Sequence, residues 1–209
     1  MRKNLMIGIT GAIAGILMGA VCVLGAEEMK VGTTIENLQA AYNGESNAKA
    51  RYNDFAIKAD EEGYKSVASL FRAASRSEGI HASKHAEVIK KLGAEPKADV
   101  QKAEVKTTKE NLEAALQGET SEKDSMYPAF IKQAETDKNS SAVRTFKTAM
   151  TAEIEHAKMY QQALKELDSW KAAGKEFLVC TVCGWTTMDG SIKKCIICAA
   201  PRSKFDSFK

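Results

Sequence analysis

The stretch TTIENLQAAYNGE at residues 33–45 returns as TTKENLEAALQGE at residues 107–119, with nine of thirteen positions identical. Further along, EGIH at 78–81 is matched by EIEH at 153–156, so the pattern occurs twice at a nearly constant offset in the numbering. Self-similarity over this length is the signature of a duplicated supersecondary unit. The sequence therefore predicts two related helical hairpins.

Both copies open with Thr-x-x-Glu, a capping box in which a hydroxyl and a carboxylate satisfy free amide groups at a helix start. Gly63 and Gly174 mark two helix ends, and Pro128 should kink or split the helix that contains it. We expect four helices, at about 33–62, 64–92, 109–137 and 140–173, with a polar crossover at 94–106. Two hairpins joined by one long crossover form a ferritin-like four-helix bundle.

Composition agrees with this mainly α interpretation. The chain has 209 residues, enough for one medium domain and a small appendage. Ala, Lys and Glu are abundant and only 3 prolines occur, which favours helices over a β-rich fold. The net charge of +3 comes from 30 basic and 27 acidic residues spread along the chain, without a clustered basic face. We therefore expect no nucleic-acid partner.

The first 26 residues differ from the rest. Arg2 and Lys3 precede an uncharged, largely apolar run that ends at Ala26, a pattern typical of an export signal cleaved after Gly25 or Ala26. A run of about 20 apolar residues is also long enough to remain as a membrane anchor, and a buried core helix is the third possibility. We expect the mature protein to be exported, periplasmic or membrane-anchored, with membrane contact only through this segment if it is uncleaved.

Glu and His three residues apart on a helix lie on the same face and reach the same metal. One Glu from each of two helices, with Glu-x-x-His from each of the other two, is the ligand set of di-iron carboxylate bundles. The predicted ligands are Glu45, Glu78, His81, Glu119, Glu153 and His156. Surface acids beside incidental histidines are the alternative, but two of only three histidines carry this spacing. Carboxylate and imidazole ligands favour iron or manganese over zinc or copper.

The heights of these ligands along the helices are compatible. Glu45 precedes Gly63 by nearly the same length of helix as Glu78 follows it, so their levels differ by about 4–5 Å at ~1.5 Å per residue. Glu119 and Glu153 lie at less similar distances from the next turn, so their heights along the helices agree less well. Because Glu78 and Glu153 each share a helix with a histidine, we expect these two carboxylates to bridge the metals.

Glu122 follows Glu119 by one helical turn and should face the same way. Its counterpart in the first copy is Ala48, which has no ligand atom. A solvated surface acid is the alternative interpretation of Glu122. Because Glu122 lies on the same helix face as Glu119, we favour a role as a seventh ligand.

Three further residues lie on the expected cluster side. His85 follows His81 by one turn, and we expect it beside the cluster or at the surface rather than as a ligand. Tyr52 and Tyr127 lie about two turns beyond Glu45 and Glu119. These tyrosines either pack in the core or donate hydrogen bonds to the ligand carboxylates.

After Gly174 the chain carries two Cys-x-x-Cys knuckles, Cys180/Cys183 and Cys195/Cys198, joined by the segment 184–194. Four thiolates at this spacing form a tetrahedral site for zinc or a single iron. Disulfides are the competing interpretation in an exported protein. Paired knuckles with a glycine after the first favour metal, and the spacing does not choose between iron and zinc.

Together these motifs resemble rubrerythrin over residues 33–209. The resemblance is carried by Gly44-Glu45, Glu78-x-x-His81, Asn111-Leu112, Gly118-Glu119-x-x-Glu122, Met126-Tyr127-Pro128, Glu153-x-x-His156 and the four-cysteine tail, in that order. It implies a ferritin-like di-iron domain at 33–173 and a rubredoxin-like domain with one iron at 175–209. It further implies an oxidative-stress enzyme that reduces hydrogen peroxide to water with electrons delivered through the rubredoxin-like iron.

The resemblance also implies residue roles and partners. Residues matching His81 and Glu122 exchange as ligands of one iron with oxidation state, and those matching Tyr52 and Tyr127 bond to cluster carboxylates. An electron-donor protein is implied, as is a homodimer in which one subunit's thiolate-bound iron faces the other's di-iron cluster.

Three features depart from the family pattern. Ile196 stands where proline is usual, and Trp185 where tyrosine is common. The export-like segment means that the electron donor should differ from that of cytoplasmic relatives. Two other functions remain open: a ferritin-like ferroxidase that handles iron, and a zinc-ribbon interaction module on a helical scaffold.

Overall fold

The computed structural model describes residues 31–209, so the predicted signal or anchor at 1–26 lies outside the described residues. The helices are α1 (Thr34–Glu61), α2 (Lys65–Lys91), α3 (Thr108–Ser121), α4 (Tyr127–Thr136) and α5 (Ser140–Lys165), with a π-helical turn at Glu122–Met126 between α3 and α4. Strands β1 (Phe177–Cys180), β2 (Thr186–Thr187) and β3 (Phe205–Phe208) form an antiparallel sheet in the order β2-β1-β3, with short 3₁₀ turns at Leu167–Trp170 and Arg202–Lys204. Within 31–209, no helix is long and apolar enough to cross a membrane. The fold class is confirmed: a ferritin-like bundle followed by a small four-cysteine domain.

Both predicted capping boxes are present. The Thr33 amide donates to the Glu36 carboxylate at 2.8 Å, and the Glu36 amide donates to the Thr33 hydroxyl at 3.4 Å. Thr107 and Glu110 repeat the arrangement at the start of α3. Each box satisfies amides that have no partner inside their helix.

The two halves also cap each other. The Glu62 carboxylate, just after α1, accepts a hydrogen bond from the Thr108 amide at 2.8 Å. The Asp137 carboxylate, just after α4, accepts from the Thr34 amide at 3.2 Å and from its hydroxyl at 2.6 Å. The Thr108 amide lowers the pKa of Glu62, and the Thr34 hydroxyl lowers that of Asp137. Because Glu62 and Asp137 occupy equivalent places in the two copies, these contacts relate the halves by a pseudo-two-fold axis.

The crossover between the halves lies along α1. Gln39, Asn43 and Asn47 recur at every fourth position and so share one helix face. Their amide side chains pair with the crossover backbone at residues 95–101, with distances of 2.7 to 3.0 Å. This polar ladder satisfies the backbone of a segment that has no regular secondary structure.

One extra residue is present in the second half. The offset in the numbering is 74 between Glu45 and Glu119 but 75 between Tyr52 and Tyr127, so an insertion lies between Glu119 and Tyr127. The π-helical turn lies in this interval, and the Tyr127 amide bonds to the carbonyl five residues earlier. A π turn takes up one additional residue without ending the helix.

The distortion predicted at Pro128 is therefore this π turn. Pro128 is the second residue of α4, which directly follows the π turn, so the ladder bond that it cannot make falls where the helix changes its hydrogen-bond pattern. The π turn also removes one residue from the effective spacing between Glu119 and the following turn. With this residue taken up, Glu119 and Glu153 lie at similar heights along their helices, which a simple count of residues did not predict.

The predicted end of the last helix is wrong. We expected it near residue 173, but α5 ends at Lys165. The chain then turns through a 3₁₀ segment that buries Trp170 completely. The Ser66 hydroxyl, at the start of α2, donates to the Ala172 carbonyl at 2.6 Å. Burial of the indole and the hydrogen bonds to α2 therefore stabilise this turn more than a continuation of α5 would.

Two apolar clusters form the core of the bundle, and a third lies in the cysteine domain. The first bundle cluster contains Tyr52, Phe55 and Phe71, and the second contains Tyr127 and Phe146. The ring centroids of Phe55 and Phe71 are 5.4 Å apart, within the range of favourable aromatic pairs. Each bundle cluster reaches the centre of the bundle through its tyrosine.

The turns after α1 and α4 yield a stability prediction. Gly63 has φ +81°, and its equivalent Lys138 has φ +54°, a conformation that is unfavourable for a residue with a Cβ. We expect Lys138→Gly to raise the free energy of unfolding by about 0.5–1 kcal/mol, and Gly63→Ala to lower it by about 1 kcal/mol. Urea denaturation at matched metal content measures both changes.

The control is Lys132→Gly, at an exposed interior position of α4, which should lower the free energy of unfolding by about 1 kcal/mol. If Lys138→Gly destabilises the protein as much as Lys132→Gly does, backbone strain at Lys138 is contradicted.

Candidate metal centre

The six predicted bundle ligands converge into two overlapping groups of four. The first is Glu45, Glu78, His81 and Glu153, and the second is Glu78, Glu119, Glu153 and His156. Within each group, the ligand atoms all lie within 4.8 Å of one another. No member is more than 2% exposed. Glu78 and Glu153 occur in both groups, which is the placement expected of bridging carboxylates.

Helical spacing sets the orientation of both histidines. His81 lies one turn after Glu78 on α2, and its Nδ1 is 2.9 Å from Glu78 Oε2 and 3.2 Å from Glu153 Oε1. His156 lies one turn after Glu153 on α5, with Nδ1 2.9 Å from Glu153 Oε2 and 3.1 Å from Glu78 Oε1. Each histidine thus directs the same ring nitrogen at the shared carboxylate pair.

Burial of these acids is unfavourable without cations. Burial, together with the charges of Glu153 and Glu78, raises the pKa of Glu45 well above its ordinary value. Burial and the charge of Glu78 do the same to Glu153. Burial also raises the pKa of Glu78, but the charges of His156 and His81 outweigh it and lower that pKa to about 2.

Several buried ligand atoms have no hydrogen-bond partner among the described residues: Glu45 Oε2, Glu119 Oε2, both oxygens of Glu153 and His156 Nδ1. Unpaired buried carboxylate oxygens are costly. Two divalent cations would satisfy all of them, with three carboxylates and one imidazole each. The residues present therefore fit a di-iron site.

The two tyrosines bind the terminal carboxylates. The Tyr52 hydroxyl donates to Glu119 Oε1 at 2.6 Å, and the Tyr127 hydroxyl donates to Glu45 Oε1. Both hydroxyls leave the Oε2 atom of their glutamate free for a metal. Each bond joins one half of the duplication to the other. The tyrosines are thus buried and also fix the orientation of ligands.

His85 is buried beside the cluster and belongs to neither ligand group. Burial and the charge of His81 lower the pKa of His85 to about 3, so the ring is neutral at physiological pH. Its Nε2 is 3.3 Å from the Tyr127 oxygen, and its Nδ1 is 3.1 Å from Thr145 Oγ1. Since Tyr127 donates to Glu45, His85 donates through Nε2 and accepts from Thr145 through Nδ1. Sequence reasoning did not identify Thr145.

Glu122 begins the π turn beside the site and belongs to neither group of four. Burial and the charges of Glu119 and Glu78 raise the pKa of Glu122 to about 8, and the Arg51 guanidinium opposes this rise. Its counterpart Ala48 is buried in the core. The role of Glu122 as a seventh ligand stays a prediction.

The four cysteines form a second compact ligand set. The Cys180 and Cys198 sulfurs are 3.6 Å apart, those of Cys183 and Cys195 are 3.5 Å apart, and none is in a disulfide. Tetrahedral coordination with metal–sulfur bonds of about 2.3 Å places sulfurs about 3.8 Å apart, so the spacing fits a metal. Burial raises the pKa of Cys180 to about 11, so its thiolate requires a cation.

The two departures in the knuckles leave this ligand set intact. Trp185 is buried, and its ring packs edge-on against Phe205 with centroids 6.3 Å apart. Ile196 is 69% exposed beside the second knuckle. The amide of Ile197 donates to the Cys195 sulfur at 3.4 Å, so the knuckle keeps an amide–sulfur bond without the proline.

The cysteine domain packs on the bundle of its own chain. The Ser77 hydroxyl on α2 donates to the Gly184 carbonyl at 2.6 Å, and Arg76 Nε is 2.8 Å from Asp206 Oδ2. The resemblance implied such a contact between subunits. Within this chain the early end of α5 and the bonds of Ala172 to α2 bring the tail back onto its own cluster. Dimerisation itself stays a prediction.

Comparisons with known proteins agree with this architecture. The rubrerythrin family model matches residues 36–164. Nigerythrin of Nitratidesulfovibrio vulgaris is 36% identical over 179 residues, which cover 85% of this chain and 88% of the relative. Rubrerythrin-2 of Clostridium acetobutylicum is 36% identical over 184 residues, which cover 86% of this chain and 99% of the relative.

A solved structure of nigerythrin in its fully reduced, all-ferrous state superposes with a TM-score of 0.81 at 35% identity. The match covers 88% of this chain and 91% of that structure. The carboxylate–histidine di-iron site and the rubredoxin-like four-cysteine site predicted from the sequence are therefore both present, and the chain belongs to the rubrerythrin family.

Proposed function

We propose that the protein is a non-haem di-iron peroxidase that reduces hydrogen peroxide to water in defence against oxidative stress. The reaction consumes two electrons and two protons per peroxide and releases two waters. The electrons reach the di-iron site through the four-cysteine site, which receives them from an electron-donor protein. The observation that carries the proposal is the contact between the two sites, where Gly184 of the cysteine domain lies against the His81 ring.

This contact favours a peroxidase over the two alternatives. A ferroxidase takes its electrons from the ferrous ions that it oxidises, so it needs no second metal site against its cluster. A zinc-ribbon interaction module needs no buried carboxylates. An oxidant-reducing enzyme requires both a redox-active cluster and a supply of electrons beside it.

When bound, an iron pair would supply the electrons that break the oxygen–oxygen bond. Glu78 and Glu153 would be shared between its two ions, and Glu45 and Glu119, oriented by their tyrosines, would each bind one of them in a buried polar site. Exclusion of bulk water strengthens the electrostatic effect of these groups.

A groove of about 450 Å³ lies between α2, α5 and the cysteine domain, with His81, Thr145 and Cys183 among its lining residues. This volume is large enough to hold a small molecule such as peroxide. From Thr145, hydrogen bonds run through His85 to the Tyr127 oxygen, and from Tyr127 to Glu45. This series of hydrogen bonds holds protons on Thr145 Oγ1, His85 Nε2 and the Tyr127 oxygen, between the groove and a ligand carboxylate.

Peroxide should reoxidise the reduced protein rapidly. Under anaerobic conditions we expect the visible bands of both iron centres to return on addition of peroxide, about 100-fold or more faster than in Glu78→Ala and Glu153→Ala, which lose shared ligands. Glu155→Ala is the matched control, because Glu155 pairs with Lys158 on the surface of the same helix.

Visible spectra and metal analysis decide between this function and the alternatives. If wild type reoxidises no faster than the two ligand variants, the peroxidase proposal is wrong. Iron loading far above three ions per chain in a large shell would identify a ferroxidase. A colourless protein with zinc in the tail would identify an interaction module.

Glu122 should affect turnover without affecting the four-cysteine site. If Glu122 is a seventh ligand that stabilises the oxidised pair, Glu122→Gln removes its charge and lowers kcat for peroxide about 10- to 100-fold. The control is Glu113→Gln, on the exposed face of α3. Steady-state kinetics should show the loss while the visible band of the thiolate-bound iron is unchanged. Equal rates in the two variants would remove Glu122 from the mechanism.

The proposal includes a location outside the cytoplasm, supported by the sequence of residues 1–26. We expect the mature protein in the periplasmic or membrane fraction, and a variant that lacks residues 2–26 in the cytoplasm. Fractionation with intact-mass analysis separates a cleaved chain, which begins after residue 25 or 26, from a retained anchor. Full-length protein in the cytoplasmic fraction would contradict export.

A further inference from the structure

One segment of the cysteine domain contacts both histidine ligands on the side away from the cluster. Both rings direct Nδ1 at the shared carboxylates, which leaves each Nε2 facing outward. His156 Nε2 is 3.1 Å from Thr186 Oγ1. The His81 ring abuts Gly184, two residues earlier and adjacent to the metal ligand Cys183.

Gly184 is required by this close approach. A Cβ at this position would lie 2.7 Å from His81 Cδ2 and still closer to Nε2, far inside van der Waals contact. The φ angle of +85° also disfavours any residue with a side chain. The Gly184 carbonyl accepts hydrogen bonds from Ser77 at 2.6 Å and from Thr186 at 3.1 Å, which hold the segment against α2.

The direction of these bonds fixes the tautomer of His156. Since the Thr186 hydroxyl donates to the Gly184 carbonyl, its oxygen is free to accept the proton on His156 Nε2. The proton of the neutral ring therefore stays on Nε2, and the Nδ1 lone pair faces the carboxylates. Such an outer hydrogen bond orients a histidine ligand and makes it a better donor to a metal.

We propose that Gly184 and Thr186 are positioning residues through which the cysteine domain seats both histidine ligands of the di-iron site. The affinity of the bundle for metal then depends on the knuckle that holds Cys183. This inference rests on the di-iron site of the proposed function but not on its peroxidase activity.

Thr186 tests the proposal by metal binding alone. Zinc fills the four-cysteine site, which prefers it to cobalt, and Co²⁺ is then titrated anaerobically into the bundle and followed by its d–d absorption. We expect Thr186→Val to bind Co²⁺ about 10-fold more weakly and to change the absorption, whereas Thr186→Ser keeps the hydroxyl and binds like wild type. Thr187→Val is the matched control, since the Thr187 hydroxyl bonds only to the Asp189 amide among the described residues.

The outcomes decide the role of Thr186. If Thr186→Val binds Co²⁺ like wild type, or if Thr186→Ser and Thr187→Val lose as much as Thr186→Val, the positioning role is wrong. Circular dichroism and one zinc per chain confirm that each variant is folded.

Gly184→Ala should displace the knuckle from His81 and weaken Co²⁺ binding about 10-fold or more. Gly190→Ala is the control in the same domain, because a Cβ at Gly190 meets no atom within 4 Å. Gly63→Ala, with a similar φ of +81° and open space around it, measures the effect of backbone strain alone. Equal Co²⁺ affinities in the Gly184 and Gly63 variants would show that the contact of Gly184 with His81 does not position this ligand.

Discussion

Four carboxylates and two imidazoles meet in the middle of the bundle, and no member of this set is more than 2% exposed. Mutual repulsion and desolvation act against this arrangement, and bound cations remove the penalty. The tyrosine hydroxyls, the histidine orientations and the aromatic clusters all serve to hold the carboxylates at a separation that suits two metals. The bundle thus surrounds a buried charge cluster that would be unfavourable in its apolar core without bound cations.

The duplication explains how one sequence pattern supports this cluster. Glu62 and Asp137 cap helices of the opposite half, and Tyr52 and Tyr127 bond to glutamates of the opposite half. Contacts between the halves therefore occur in pairs, which ties the symmetry of the ligands to the symmetry of the scaffold.

Departures from symmetry occur around the site. The π turn adds one residue between Glu119 and Tyr127 and begins at Glu122, whose counterpart in the other half is Ala48. His85 is replaced by Tyr160 at the equivalent position of the second half. A π turn at a functional site is a recurrent feature, because it redirects one side chain while the helix continues. One side of the cluster therefore differs chemically from the other.

The sequence by itself determined the four-helix plan, the six cluster ligands and the four cysteines, because helical periodicity and knuckle spacing are local properties. It also contained the insertion in the third helix, visible as the change of offset from 74 to 75. Only the tertiary structure decided where α5 ends, because burial of Trp170 outweighs the local preference for helix. Likewise, Thr145 and the seating of both histidines by Gly184 and Thr186 depend on contacts between residues far apart in the chain, which no local pattern specifies.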